Sequence, residues 1–141
     1  MIVIAMPDEL SLVGETDEGI LITGVGAENV IESLVGYDRS MPIHNIGYAG
    51  SNCLPIGTRV EVGKVTMYHP HVTYRGKSYD LGGKVPCYTS SDFVLETKVE
   101  NPCVFDMELA YILALGFTNV RSTKVVSDNL SVEEFENVRK G

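Results

Sequence analysis

Gly19-Ile20-Leu21-Ile22-Thr23-Gly24-Val25-Gly26-Ala27-Glu28-Asn29-Val30-Ile31-Glu32-Ser33-Leu34-Val35 changes its period halfway along. Gly19 to Val25 is a short apolar run, the pattern of a strand buried on both faces. Gly24-Val25-Gly26 interrupts it, and Ala27, Val30, Ile31 and Leu34 then recur at helical spacing. The reading is strand, glycine turn, helix, the unit from which α/β sheets are assembled.

The same alternation extends in both directions. Ile2 to Ala5 is a solidly apolar run suited to a central strand, and Ser11 to Glu18 is polar enough for a connection or edge hairpin. Pro42 to Ile46 predicts the next strand, running into a turn at Gly47-Tyr48-Ala49-Gly50-Ser51 where small residues allow close backbone approach. Arg59 to Tyr68 predicts a long strand. His69 to Lys84 reads as a strand or hairpin with a mobile tip, and Val85 to Ser91 as strand again. Asp106 and Glu108 open a predicted helix with Met107, Ala110, Tyr111 and Ala114 on one face, ended by Gly116. Val120 to Val126 is the last predicted strand. Ser131 and Glu134 then have the S-x-x-E spacing of a capping box before a helix carrying Val132, Phe135 and Val138.

Composition narrows the function classes. A chain of 141 residues with 44% apolar content is expected to form one domain, residues 1–141, around one core. Its 11 basic and 19 acidic residues give a net charge of −8, which disfavours nucleic acid and anionic membranes as partners. The opening apolar run meets Pro7, Asp8 and Glu9 too soon for a secretory signal, and Leu109 to Val120 is too short to span a bilayer. A soluble, cytoplasmic protein is the expectation. Cys53, Cys87 and Cys103 lack CxxC spacing and read as reduced, small core residues.

An α/β sheet covered by helices carries its site at the carboxyl ends of strands. Three polar clusters fall at such ends: Asp8 with Glu9, the Gly47 turn, and Ser127 with Asp128. His69-Pro70-His71 places two histidines on one face of a strand. Without a third ligand cluster the pair is open to surface, interface or substrate contact as well as metal, and no metal site is assigned. His44 beside a buried strand reads as structural. The glycine turns at Gly24 and Gly47 fit either a tight turn or an anion cradle built from backbone amides.

Taken in order, the motifs form a pattern. Ala5-Met6-Pro7-Asp8-Glu9 is similar to the A-M-x-x-E of methylthioadenosine and S-adenosylhomocysteine nucleosidases, and Gly24 to Asn29 to their G-x-G-x-x-N. Asn45 to Gly50 resembles N-T-G-S-A-G, Tyr68-His69 the start of Y-H-D-A-D-V, and Ser91-Asp92-Phe93 S-G-D-A-F. Phe105-Asp106-Met107-Glu108 is similar to V-E-M-E, and Val126-Ser127-Asp128 to I-S-D. The chain thus resembles the nucleoside phosphorylase superfamily, closest to these nucleosidases, in a shortened form that lacks helices and loops flanking the base.

The resemblance implies a phosphorylase/hydrolase-like central mixed β-sheet flanked by helices, and hydrolysis of the N-glycosidic bond of a purine nucleoside such as methylthioadenosine or S-adenosylhomocysteine. It implies that Glu9 activates water, that Asp128 is the acid at purine N7, and that Glu108 holds the ribose hydroxyls. Met107 would lie against the ribose and Phe93 against the base, with Ala49, Gly50 and Ser127 also contacting substrate. No cofactor is implied, and the partners are a nucleoside and further copies of the chain, as a homodimer or higher homo-oligomer contacted through tyrosines between Tyr68 and Tyr88. Hydrolysis through an oxocarbenium-like sugar needs such a division of labour among carboxylates. Each carboxylate also has a plain reading: Glu9 as a helix cap, Glu108 as a partner of the helix dipole, Asp128 as a turn residue.

Two other activities stay open. A phosphorylase would need cations for phosphate; the positions matching the arginines of the phosphorylases hold Asn45 and the Pro7-Asp8-Glu9 segment instead, which favours water. A non-catalytic nucleoside-binding relative is the third reading. Tyr48 stands where the nucleosidases have serine, and either narrows the pocket or lines an altered one.

Overall fold

In the computed structural model, which describes residues 1–69 and 77–140, the first apolar run forms β1 (Ile2–Ile4), buried throughout. A single 3-10 turn (Pro7–Glu9) and a short helix α1 (Leu10–Val13) follow, so part of the expected polar connection is helical. Next come β2 (Ile20–Ile22) and α2 (Ala27–Leu34), with Gly24 and Gly26 at φ +90° between them. That conformation is open to glycine at little cost. The rest of the chain gives β3 (Ile43–Ser51), β4 (Arg59–Met67), β5 (Ser78–Asp80), β6 (Val85–Thr89), β7 (Val104–Asp106), α3 (Leu109–Ala114), β8 (Val120–Asp128) and α4 (Val132–Lys140).

The strands form one mixed sheet. β2, β1, β3 and β8 run parallel in that order, and β8 continues antiparallel onto β4. β4 pairs parallel with β6, β6 parallel with β7, and β7 returns antiparallel to the end of β3, so five strands close into a ring. β5 hangs from β4. The alternation rule divides β1: Val3 packs with Val30, Leu34, Ile112 and Phe117 under α2 and α3, whereas Ile2 and Ile4 pack with Leu12 and Val13 of α1. The larger core inside the ring joins Val62, Val65, Val104 and Val126 to Leu109, Ala110 and Leu113 of α3.

The structure departs from the sequence reading in several places. β2 is an edge strand with Ile20 40% and Ile22 42% exposed, because only β1 pairs with it among the described residues. The buried face of α3 is Leu109, Ala110, Ile112 and Leu113, while Ala114 is exposed and the helix begins at Leu109, after both acidic residues. Asp106 instead ends β7, a strand too short to announce itself. Cys53 is exposed rather than core, while Cys87 and Cys103 are buried. Tyr68 and Tyr88 pack within the chain on each other and on Phe105, with ring centroids 5.3–5.7 Å apart. Residues 70–76, including Pro70 and His71 of the histidine pair, lie outside the described residues.

Gly47 to Ser51 is strand rather than turn, because β8 pairs with it as far as Gly50. The register slips between Ala49 and Gly50, so that Gly50 lies opposite Asp128, a bulge of the kind that re-aims side chains near sites. Small residues are needed here for space. A Cβ on Gly47 would stand 2.7 Å from Oε2 of Glu9, and one on Gly50 would stand 3.0 Å from Oδ2 of Asp128. Gly47→Ala is therefore expected to lower unfolding free energy by about 1–3 kcal/mol, the usual cost of overpacking, in urea titrations that leave the m-value unchanged.

Candidate active site

Glu9 is 2% exposed, and its carboxylate ties the segment just after β1 to β3. Oε1 accepts the amides of Ala5 (2.9 Å) and Met6 (3.0 Å), and Oε2 accepts the amide of Tyr48 (2.7 Å). The capping reading holds at Oε1, which caps its own 3-10 turn, and Glu9 also lines the cleft described below. A carboxylate has about four acceptor positions, so one remains, on Oε2.

Glu108 immediately precedes α3 but does not cap it. Its Oε2 accepts the amide of Gly26 at 3.0 Å, so the glycine turn before α2 holds this side chain. Burial, reinforced by neighbouring Asp106, pushes the Glu108 carboxyl up to about 7. Asp106 supplies the cap, accepting the amide of Leu109 at 2.8 Å. It also accepts the Thr89 hydroxyl at 2.6 Å and pairs with Lys124 at 3.1 Å, both partners being 1% exposed. Burial pushes Asp106 up, but Lys124 and these hydrogen bonds outweigh it and leave the carboxyl below its ordinary value. Burial acts on the Lys124 ammonium in the opposite sense, and Asp106 with Cys87 and Glu108 holds it above its ordinary value.

Asp128, fully buried at the end of β8, accepts the Ser127 hydroxyl at 2.6 Å on Oδ1 and the amide of Leu130 at 3.0 Å on Oδ2. Leu130 takes φ +65°, a left-handed conformation that costs a leucine about 1–2 kcal/mol and is held by this turn. Burial raises the Asp128 carboxyl despite the lowering effect of those hydrogen bonds. That is the direction required of a group meant to carry a proton toward neutral pH.

All eight site residues expected from the sequence, Glu9, Ala49, Gly50, Phe93, Met107, Glu108, Ser127 and Asp128, line one cleft of about 450 Å³, counting the part open to solvent. Tyr48 lines it too. Among the residues the sequence reading missed are Asp106, Phe135 and Arg139, with Lys124 behind Asp106. Lys124 gave a usable signal, being the one charge between Arg121 and Asp128. Phe135 and Arg139 sit one helical turn apart on α4, and Phe135 meets Phe93 edge to face at 5.2 Å. No His, Cys, Asp and Glu cluster of metal-binding arrangement occurs among the described residues.

No family model and no curated protein sequence matches this chain. Solved structures do. The MTAN of Chlamydia trachomatis bound to MTA is 15% identical with a TM-score of 0.76, over 98% of this chain and 87% of that one. The S-adenosylhomocysteine nucleosidase of Streptococcus pyogenes is 19% identical with a TM-score of 0.73, over 99% and 89%. The 5'-methylthioadenosine/S-adenosyl homocysteine nucleosidase of Helicobacter pylori is 13% identical with a TM-score of 0.73, over 99% and 90%. The chain has the fold of these proteins.

The raised Glu108 carboxyl has a consequence for stability. Between its ordinary value of 4.5 and about 7 the folded protein holds a proton that the unfolded chain has lost, so Glu108 makes stability fall as pH rises through that window. Glu108→Gln keeps the acceptor for Gly26 and is expected to flatten that fall relative to wild type in urea titrations across the window. Lys124→Met leaves Asp106 as a buried unpaired charge and is expected to cost about 3–5 kcal/mol, with much of it recovered in the Lys124→Met/Asp106→Asn double variant by the same titration.

Proposed function

We propose that this protein is a purine nucleosidase that hydrolyses the N-glycosidic bond of a nucleoside such as methylthioadenosine or S-adenosylhomocysteine. The observation that carries the reading is the convergence of Glu9, Glu108 and Asp128 on one cleft, with Asp128 and Glu108 both raised and Glu9 keeping one acceptor position free.

In this reading a water donates a hydrogen bond to Oε2 of Glu9 and attacks the anomeric carbon of the ribose. Its proton passes to Glu9 as the carbon–oxygen bond forms. The glycosidic carbon–nitrogen bond breaks, its electron pair leaves with the purine, and the proton of Asp128 moves to N7 of that base. Glu108, protonated at about its midpoint near neutrality, can both donate to and accept from the ribose hydroxyls. Phe93, turned against Phe135, offers a flat apolar surface to the base, and Met107 covers the sugar.

Water is favoured over phosphate by the use of the donors. The amide of Tyr48, in the segment open to reading as an anion cradle, is spent on Glu9, and that of Gly26 on Glu108. Lys124 is bound to Asp106 and Arg139 to Asp8. A phosphate entering the cleft would face three carboxylates with no cation free of an acidic partner among these residues.

The chain is further proposed to work as a single domain in the cytoplasm, in methionine salvage, and as a homodimer or higher oligomer. The exposed Ile20 and Ile22 of β2, Ile31 of α2 and Val35 just beyond it support assembly. No helix of the described residues is long and apolar enough to cross a membrane.

Chromatography of free base after incubation with methylthioadenosine, S-adenosylhomocysteine, adenosine and inosine, with and without phosphate, tests the activity. Release independent of phosphate is expected, reduced at least about a hundredfold in Asp128→Asn. Release that requires phosphate, or an Asp128→Asn variant as fast as wild type, would refute the reading.

A further inference from the structure

Arg139 is the cleft residue whose contacts the hydrolytic scheme leaves unused. It projects from α4, the last helix, to the 3-10 turn after β1, 131 positions away in the chain from Asp8. Its Nη1 lies 2.7 Å from both carboxylate oxygens of Asp8 and 3.4 Å from Sδ of Met6. Its Cζ lies 4.3 Å from the ring centroid of Phe135 and 5.0 Å from that of Tyr48, over both aromatic rings. The guanidinium therefore joins the wall made by α4 to the floor made by β3.

Two donor groups are left over. Nη2 forms an ion pair with Oε2 of Glu9 at 3.6 Å, beyond hydrogen-bond length but close enough for one water beside the pair to touch both atoms. Nε is shielded from solvent and has no hydrogen-bond acceptor among the described residues. Oε2 is also the oxygen with an open acceptor position. An arginine pinned at one end by a carboxylate and left with spare donors at the other is a rigid fork, unlike a lysine at the same place.

Building on the nucleosidase reading, we propose that Arg139 is a positioning residue: pinned on Asp8, it clamps α4 over the cleft and holds an N–H at the open edge of Glu9, where the attacking water sits. Water there donates one hydrogen to Oε2 and accepts one from Nη2. Its remaining lone pair is left for the sugar. Asp8 acts through Arg139, and the aromatic rings of Tyr48 and Phe135 keep the guanidinium in plane. Tyr48, the departure from the serine of the similar nucleosidases, thereby has a place as the surface on which the clamp rests.

The test combines hydrogen–deuterium exchange of residues 132–140 with steady-state base release in wild type, Arg139→Gln, Arg139→Lys, Asp8→Asn and the Asp8→Asn/Arg139→Gln pair. Circular dichroism first establishes that each variant is folded. Helix exchange about tenfold faster in Asp8→Asn and in Arg139→Gln is expected, with the double variant no worse than either single. The turnover number should fall about tenfold to a hundredfold while KM changes far less, and Arg139→Lys should not restore it. Unaltered exchange in both single variants would overturn the clamp whether or not the protein releases base. Faster exchange with an unaltered turnover number would overturn the role toward water. Wild-type protein silent on nucleosides defeats the nucleosidase reading and that role with it, while the exchange data still decide the clamp.

Discussion

A carboxylate kept from water must find its donors in the protein, and at Glu9 they come from three backbone amides, two in the segment just after β1 and one on β3. This arrangement fixes much else. β1 and β3 have to lie side by side, the residue opposite the carboxylate has to be glycine, and the turn after β1 has to fold back on itself. At Gly47 an added methyl group would occupy the space of Oε2. The sheet and the site are thus parts of one solution, in which close approach of backbone to carboxylate is possible only where β3 lacks side chains.

The other two carboxylates follow the same logic with different donors, and this separates their chemistry. Glu108 has a single amide and a negative neighbour, so burial and Asp106 raise it to about 7. Asp128 has a hydroxyl and an amide, yet burial still lifts it. Asp106 has a full ammonium 3.1 Å away and stays charged. Four acidic groups in one cleft thereby avoid four simultaneous negative charges, which a buried site would not tolerate. The proton that the proposed hydrolysis needs is available because the protein cannot stabilise every charge.

Much of this was legible in the sequence, for physical reasons that differ by residue. Glu9 and Asp128 each close an apolar run, and strand ends are where such sheets present polar groups, whereas Glu108 was reached through the resemblance of residues 105–108 to V-E-M-E, β7 being too short to read. The strand–glycine–helix unit at residues 19–35 was readable from its change of period, although the exposure of β2 was not, since an apolar run does not say whether a sheet continues beyond it. Gly47 to Ser51 looked like a turn because glycine usually serves turns; here the glycines make room for carboxylates while the backbone stays paired. Phe135 and Arg139 read as one apolar and one charged residue of an ordinary amphipathic helix. Their role depends on which part of the sheet α4 covers, a long-range fact that no local pattern carries.

The central claim is that three carboxylates divide the work on one nucleoside, and a crystal structure with a non-hydrolysable C-nucleoside of adenine tests it most directly. The account expects the base edge within hydrogen-bond distance of Asp128, the ribose hydroxyls on Glu108, and a water on Oε2 of Glu9 facing the anomeric carbon. A ligand bound outside the cleft, or one seated with its sugar turned away from Glu9 and Glu108, would contradict it.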